Sequence, residues 1–215
     1  MRLIKYLIIC IICVIFTSRL NAEVLKTATD AQKNEIRSNI AKVSASTNSL
    51  ECNFIQKKVI SVLSETFVSE GIMCFKKQTN LRWQYNKPYK YLFLLSGGKV
   101  LIKNESRTDK FDANTNKMFK EISEIMIGCV NGTMLTNETK FSSQYFVGQN
   151  GYVVKMTPKS KELKRMMNIV SLTFSKTDWA VQTIEMVEQG GDKTIINFTT
   201  KNVNKTISDD LFRIN

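Results

Sequence analysis

The 215-residue chain contains no histidine, which removes both histidine proton relays and imidazole metal ligands. Carboxylates, thiols and glycine turns remain as chemistry-bearing groups, and their spacing argues against each in turn. Asp112-Ala-Asn114-Thr-Asn116 begins like a calcium loop, but Lys117 stands where that loop needs glycine and Ser123 where it needs a bidentate glutamate. A polar turn capping the next helix explains it better. Asp209-Asp210 could act as a carboxylate pair, yet neighbours on a strand point to opposite faces and on a loop are commonly just solvated. Gly97-Gly98-Lys99 evokes phosphate binding, but it joins strand to strand with no helix N-terminus to hold an anion, so a hairpin turn is expected. No GxSxG, Walker or CxxC motif occurs. The expectation is therefore a protein that is not an enzyme, with no metal and no cofactor; carboxylate-only hydrolysis is the one enzymatic alternative.

The ends and the charge narrow the setting. Residues 1–22 combine Arg2 and Lys5, an apolar run from Leu7 to Phe16, and Ala22 at the cut, the pattern of a cleaved secretory signal. The run is short for a span, which takes roughly 20 apolar residues. An uncleaved anchor is the alternative, as is a lipid-modified Cys10 or Cys13, although Ile9 and Ile12 are bulky where a lipoprotein signal wants a small residue. Cleavage removes Arg2, Lys5 and Arg19 and lowers the net charge from +12 to +9. In an exported protein that surplus points to anionic membrane surfaces, acidic partners or solubility rather than to nucleic acid. The remaining thiols, Cys52, Cys74 and Cys129, are odd in number. They fit one disulfide with a free thiol, or three buried cysteines.

These residues must be positioned by a mostly β chain. Residues 29–46 read as a helix, with Thr29 and Gln32 at capping-box spacing and Ile36, Ile40 and Val43 on one apolar stripe. Strands follow at 50–62, 66–76, 81–86, 89–95, 99–103 and 107–111, separated by turn chemistry, as in an antiparallel meander. Asn150-Gly151 signals a type I′ hairpin and Gly190-Gly191 another. A second helix over 116–131 places Met118, Phe119, Ile122, Ile125, Met126, Cys129 and Val130 at helical spacing, with Gly132 as its stop. Fixed core helix and liftable lid are equally compatible with that spacing. Residues 23–215 read as one domain of α+β class, a strongly curved antiparallel sheet or unclosed barrel covered by helices.

Three segments in order carry a resemblance: Gly71-Ile-Met-Cys-Phe-Lys, then Leu81-Arg-Trp-Gln-Tyr-Asn-Lys-Pro, then an apolar strand into Gly97-Gly98-Lys99-Val. They resemble the LolA family of periplasmic outer-membrane lipoprotein carriers. "CNFIQK" at 52–57 is similar to that family's first strand after an N-terminal helix, "VVKMTPKS" at 153–160 to a later strand end with a terminal hairpin at 167–200, and "DDLFRIN" to its closing strand. The resemblance implies an unclosed barrel under a helical lid, enclosing an apolar cavity. It also implies a periplasmic carrier that shields the acyl chains of lipoproteins between the inner and outer membranes. The implied partners are acylated lipoproteins, an inner-membrane ATP-driven exporter and an outer-membrane acceptor, with the carrier acting as a monomer. On this reading Phe54, Phe75, Leu81 and Trp83 belong to the lipid-binding wall, and Met118, Phe119, Ile122, Ile125 and Met126 to the lid. Lys77 falls where the family tethers its lid with Arg-Pro; lysine lacks the planar fork of arginine, and Gln78 replaces the proline. Related alternatives are a carrier of another lipid or hydrophobic product and a lipoprotein-sensing regulator.

Overall fold

Period-two alternation along the strands sorts apolar side chains onto one face, and antiparallel pairing aligns those positions from strand to strand. The computed structural model describes residues 24–77, 80–115, 117–136 and 138–214; the side chains at 117–119, 122 and 136 are also outside the described set. The expected signal sequence at 1–22 lies outside the described residues.

The described residues form a single antiparallel sheet: β1 (Lys26–Thr27), β2 (Ser49–Ile60), β3 (Glu65–Lys76), β4 (Asn80–Lys87), β5 (Tyr91–Ser96), β6 (Lys99–Lys103), β7 (Thr108–Asp112), β8 (Phe141–Val147), β9 (Gly151–Pro158), β10 (Ile169–Ser175), β11 (Val181–Val187) and β12 (Lys193–Val203). Its 12 strands run β1-β8-β9-β10-β11-β12-β2-β3-β4-β5-β6-β7. β1 and β7 do not pair with each other, so the sheet is unclosed. The long edge, β7, carries Asp109, Lys110 and Asp112, charges that discourage edge-to-edge association.

Register carries one inner face across the sheet. Phe54 pairs with Phe198 and Gly71, Met73 with Trp83, Trp83 with Phe93, and Phe93 with Ile102. On the other flank Ile196 pairs with Ile184, Ile184 with Leu172 and Leu172 with Val154. Two helices pack against this face: α1 (Asp30–Ser46), through buried Ile36 and Ile40, and α2 (Lys117–Asn131), through buried Cys129 and Val130. The capping box on α1 is as expected, Thr29 accepting from the Gln32 amide while the Gln32 side chain accepts from the Thr29 amide. A third helix, α3 (Lys161–Met166), was not anticipated; Ser160 caps it and Leu163 buries it.

The expected closing strand in "DDLFRIN" is a 3-10 turn, Asp209–Phe212, capped by Ser208. Its Phe212, with Ile207, packs on the opposite face of the sheet against Cys74, Leu94 and Leu101. Two hairpin expectations part ways. Gly97 and Gly98 both take positive φ, 54° and 79°, and make the tight left-handed turn between Ser96 and Lys99. Asn150-Gly151 does join two strands, but neither residue is left-handed, so the turn is not type I′. The loop closes through the Gly148 amide on the Gly151 carbonyl at 2.9 Å. Glycine is needed at 151 for another reason: a Cβ there would meet the Phe174 carbonyl oxygen at 2.5 Å.

Candidate functional site

The inner face does not fill completely where α2 crosses it. A recess of about 350 Å³ is lined from the sheet by Gln56, Trp83, Tyr85, Tyr91, Phe93 and Ile102 on one side and Val170, Ile184, Met186, Thr194 and Ile196 on the other. Ile125, Met126 and Cys129 of α2 complete it. Neither lysine nor arginine is among these residues, so the recess suits hydrocarbon and offers no counter-charge to an acid.

Aromatic packing fixes the wall. The Phe54 ring lies 4.6 Å from Trp83 and edge-on to Tyr85 at 5.2 Å, centroid to centroid. It can do so because residue 71 is glycine: a Cβ there would sit 2.5 Å from the Phe54 ring and 2.1 Å from the Gln84 carbonyl oxygen. Tyr85 donates its hydroxyl to Gln56 Oε1 at 2.8 Å, and burial pushes the phenol up to about 12. Among the described residues, the rim thus has neutral hydrogen-bonding groups and no ionised ones.

Of the residues expected in the wall and lid, Trp83, Ile125 and Met126 meet in this recess. Phe54 supports Trp83 from behind. Leu81 is fully buried between Phe75 and Leu95 in the sheet core. Phe75 lines a separate recess of about 330 Å³ beneath α1, together with Lys77. Met118, Phe119 and Ile122 lie on α2, but their side chains fall outside the described residues. The far wall from β10 to β12 was not named from sequence. Period two tells which face Ile184, Met186 and Ile196 occupy but not which strands stand across from Trp83.

Lys77 donates to the Ala45 carbonyl oxygen at 2.9 Å, in the last turn of α1, where a cation complements exposed carbonyls. The bond therefore holds α1 to the end of β3. Helix α2 is held differently. Lys140 Nζ pairs with Glu124 on its outer surface, and Arg37 of α1 bonds Glu138, beyond the C-terminal end of α2, at 2.7 Å. That bond holds the Glu138 carboxyl below its usual range. Gly132, at φ 76°, ends α2 as expected, and a Cβ there would come within 2.7 Å of Ile40. The C-terminal end of α2 is thus docked closely on α1.

The three thiols are free and buried. Burial pushes Cys52 and Cys129 up to about 12 and raises Cys74 as well, so none is poised as a nucleophile. Asp112 caps a polar turn through the Asn114 amide at 2.8 Å. Among the described residues no group of three or more Cys, Asp or Glu converges as a metal site, and no helix is long and apolar enough to cross a membrane.

The model of the LolA family, outer membrane lipoprotein carrier protein, matches residues 45–215. An outer-membrane lipoprotein carrier protein of Methylococcus capsulatus is 22% identical over 173 residues, covering 78% of this chain and 77% of the relative. Among solved structures, an uncharacterized conserved protein of Thermus thermophilus superposes with a TM-score of 0.51 at 8% identity, covering 86% of this chain and 94% of that one. A LolA superfamily protein of Nitrosomonas europaea gives 0.45 at 11% identity, covering 87% and 99%.

Proposed function

Because the chain belongs to the LolA family of outer membrane lipoprotein carriers, whose members are periplasmic and not enzymes, we propose that it receives acylated lipoproteins at the inner membrane. It shields their acyl chains across the periplasm and delivers them to the outer membrane. The observation that carries the reading is the recess in which Ile125 and Met126 of α2 face Trp83 and its aromatic neighbours. The sheet acts as a curved wall and α2 as the lid. Empty, wall and lid bury each other; loaded, acyl chains take the place of the lid.

The energetics favour such an exchange. Each methylene withdrawn from water gains about 0.8 kcal/mol, so a two- or three-chain anchor cannot cross water unaided. A carrier that simply opened a permanent apolar cavity would hold its load too tightly and would expose a sticky surface when empty. Competition between lid and cargo for one wall keeps net affinity modest. The docked C-terminal end of α2 at Gly132 and Ile40 provides the pivot, and Lys77 holds α1 still while α2 moves. In this role Lys77 is an anchor of the frame. Exporter and acceptor are the partners this reading requires.

The test is mass spectrometry of the protein recovered from the periplasm of its host with its load intact. Acylated lipoproteins bound one to one support the proposal. Free lipids alone would favour a carrier of another hydrophobic product, and an empty protein under all conditions would overturn both.

A further inference from the structure

A third cavity, of about 210 Å³, lies at the other end of the inner face, between the last turns of α1, the C-terminal end of α2 and the bulged part of β12. It shares no lining residue with the recess around Trp83. Phe198 lines this chamber and its ring stands edge-on to Trp83 at 6.0 Å, while Trp83 lines the recess. Most of its lining is hydrocarbon, including Val43, Leu50 and Phe198, yet it also holds one cation, Lys201, with the Asp178 carboxylate beside it.

The backbone is built to put that cation there. Strict alternation from Phe198 would turn residue 201 to the outer face. Register slips by one between Thr199 and Asn202, so that Val203 pairs with Leu50, and the extra residue brings Lys201 inward. The bulge forces Thr200 to a φ of 48°, a conformation that a β-branched residue adopts only at a cost. The ammonium is then poorly served. Its side chain is 19% exposed; among the described residues its hydrogen bond is to the Val181 carbonyl at 3.3 Å, and the Asp178 carboxylate stands at 4.0 Å. Asp178 itself is engaged by its own turn, accepting from the Ala180 amide at 3.1 Å.

We propose that this chamber binds a single-chain anionic amphiphile, with its head on Lys201 and its chain along Val43, Leu50 and Phe198. A largely buried ammonium with spare donors beside an apolar void calls for an anion that carries its own hydrocarbon. This site shares no lining residue with the recess around Trp83, although Val130 and Asn131 at the end of α2 line it, and its test is separate from that of the carrier reading.

The test is titration of the delipidated full chain with carboxyl-labelled dodecanoate, following the labelled resonance, alongside dodecyl phosphate, dodecanol and inorganic phosphate. Dodecanoate and dodecyl phosphate should each fill one saturable site that depends on Lys201, and dodecanol and inorganic phosphate should occupy that site at least tenfold more weakly. Lys201→Met should weaken dodecanoate roughly tenfold and abolish its preference over dodecanol. Lys201→Arg should keep the preference, and Asp178→Asn, which removes the competing carboxylate, should strengthen it. Met126→Glu, in the other recess, should leave dodecanoate binding unchanged. Equal affinity for dodecanol, inorganic phosphate binding as tightly as dodecanoate, an unaffected Lys201→Met variant, or loss of dodecanoate binding in Met126→Glu would each overturn the assignment.

Discussion

Met126→Glu tests the proposed acyl recess at its weakest point. Met126 lines this space with Trp83, Ile184 and Met186, and among the described residues no lysine or arginine lines it. In the empty protein α2 can keep a new carboxylate near water. An incoming acyl chain must desolvate it with no cation to compensate, a situation that costs about 3–5 kcal/mol. At 1.4 kcal/mol per factor of ten, and with protonation available from an ordinary pKa of about 4.3, binding of a fluorescent diacylated lipopeptide with no free acid on its chains should fall by roughly two to two and a half orders of magnitude at neutral pH. Protonation should reverse the loss. The complex favours the neutral acid, so its pKa is raised there; affinity should climb as pH falls through that raised value and be fully restored below about 4.3, the ordinary glutamate value. Far-ultraviolet circular dichroism should report an unchanged sheet. Affinity within threefold of the unmodified protein at neutral pH would refute the placement of chains between α2 and Trp83.

Other outcomes follow from the frame around the recess. Asn204 accepts from the Asn48 amide at 2.7 Å and donates to the Ser46 carbonyl at 2.9 Å, stitching the end of α1 to β12. Asn204→Ala should lower unfolding free energy by about 1–3 kcal/mol in urea titrations. Gly71→Ala would drive a methyl into the Gln84 carbonyl oxygen at 2.1 Å. It should destabilise the chain by about 4 kcal/mol or more and quench the Trp83 environment seen in near-ultraviolet dichroism. Because burial raises all three thiols, a thiol reagent at pH 8 should label the native protein only as fast as it unfolds; prompt labelling of even one cysteine would contradict their burial. Lys77→Ala should increase amide exchange in the last turn of α1 and leave α2 unchanged, since its bond goes to Ala45.

The strands and both long helices were legible because their signals are local. Thr29 with Gln32 caps α1, Gly132 stops α2, and alternation at Leu50, Cys52 and Phe54 marks an inner face. Turn geometry was legible only where glycine serves the turn itself. Gly97-Gly98 does so, whereas Gly151 is glycine because Phe174 presses on it from the next strand. The C-terminal segment carries a strand-like Leu211 and Phe212, but Ser208 caps a 3-10 turn there and the far face of the sheet supplies the burial. The bulge in β12 leaves no mark in the local sequence, so nothing in the run Phe198 to Val203 announces that Lys201 turns inward. The recess was half legible. Trp83, Ile125 and Met126 were named from pattern and resemblance, while the opposite wall depends on β12 pairing with β2, a contact between distant parts of the chain.

The most direct measurement is nuclear magnetic resonance of the protein, methyl-labelled at methionine, in complex with an acylated lipopeptide. Intermolecular Overhauser contacts are expected from the acyl methylenes to the Met126 methyl and the Trp83 indole, with Ile125 shifted in step. Tight binding that shows contacts only to the outer face around Cys74 and Phe212, and none to Trp83 or Met126, would contradict that placement of the chains.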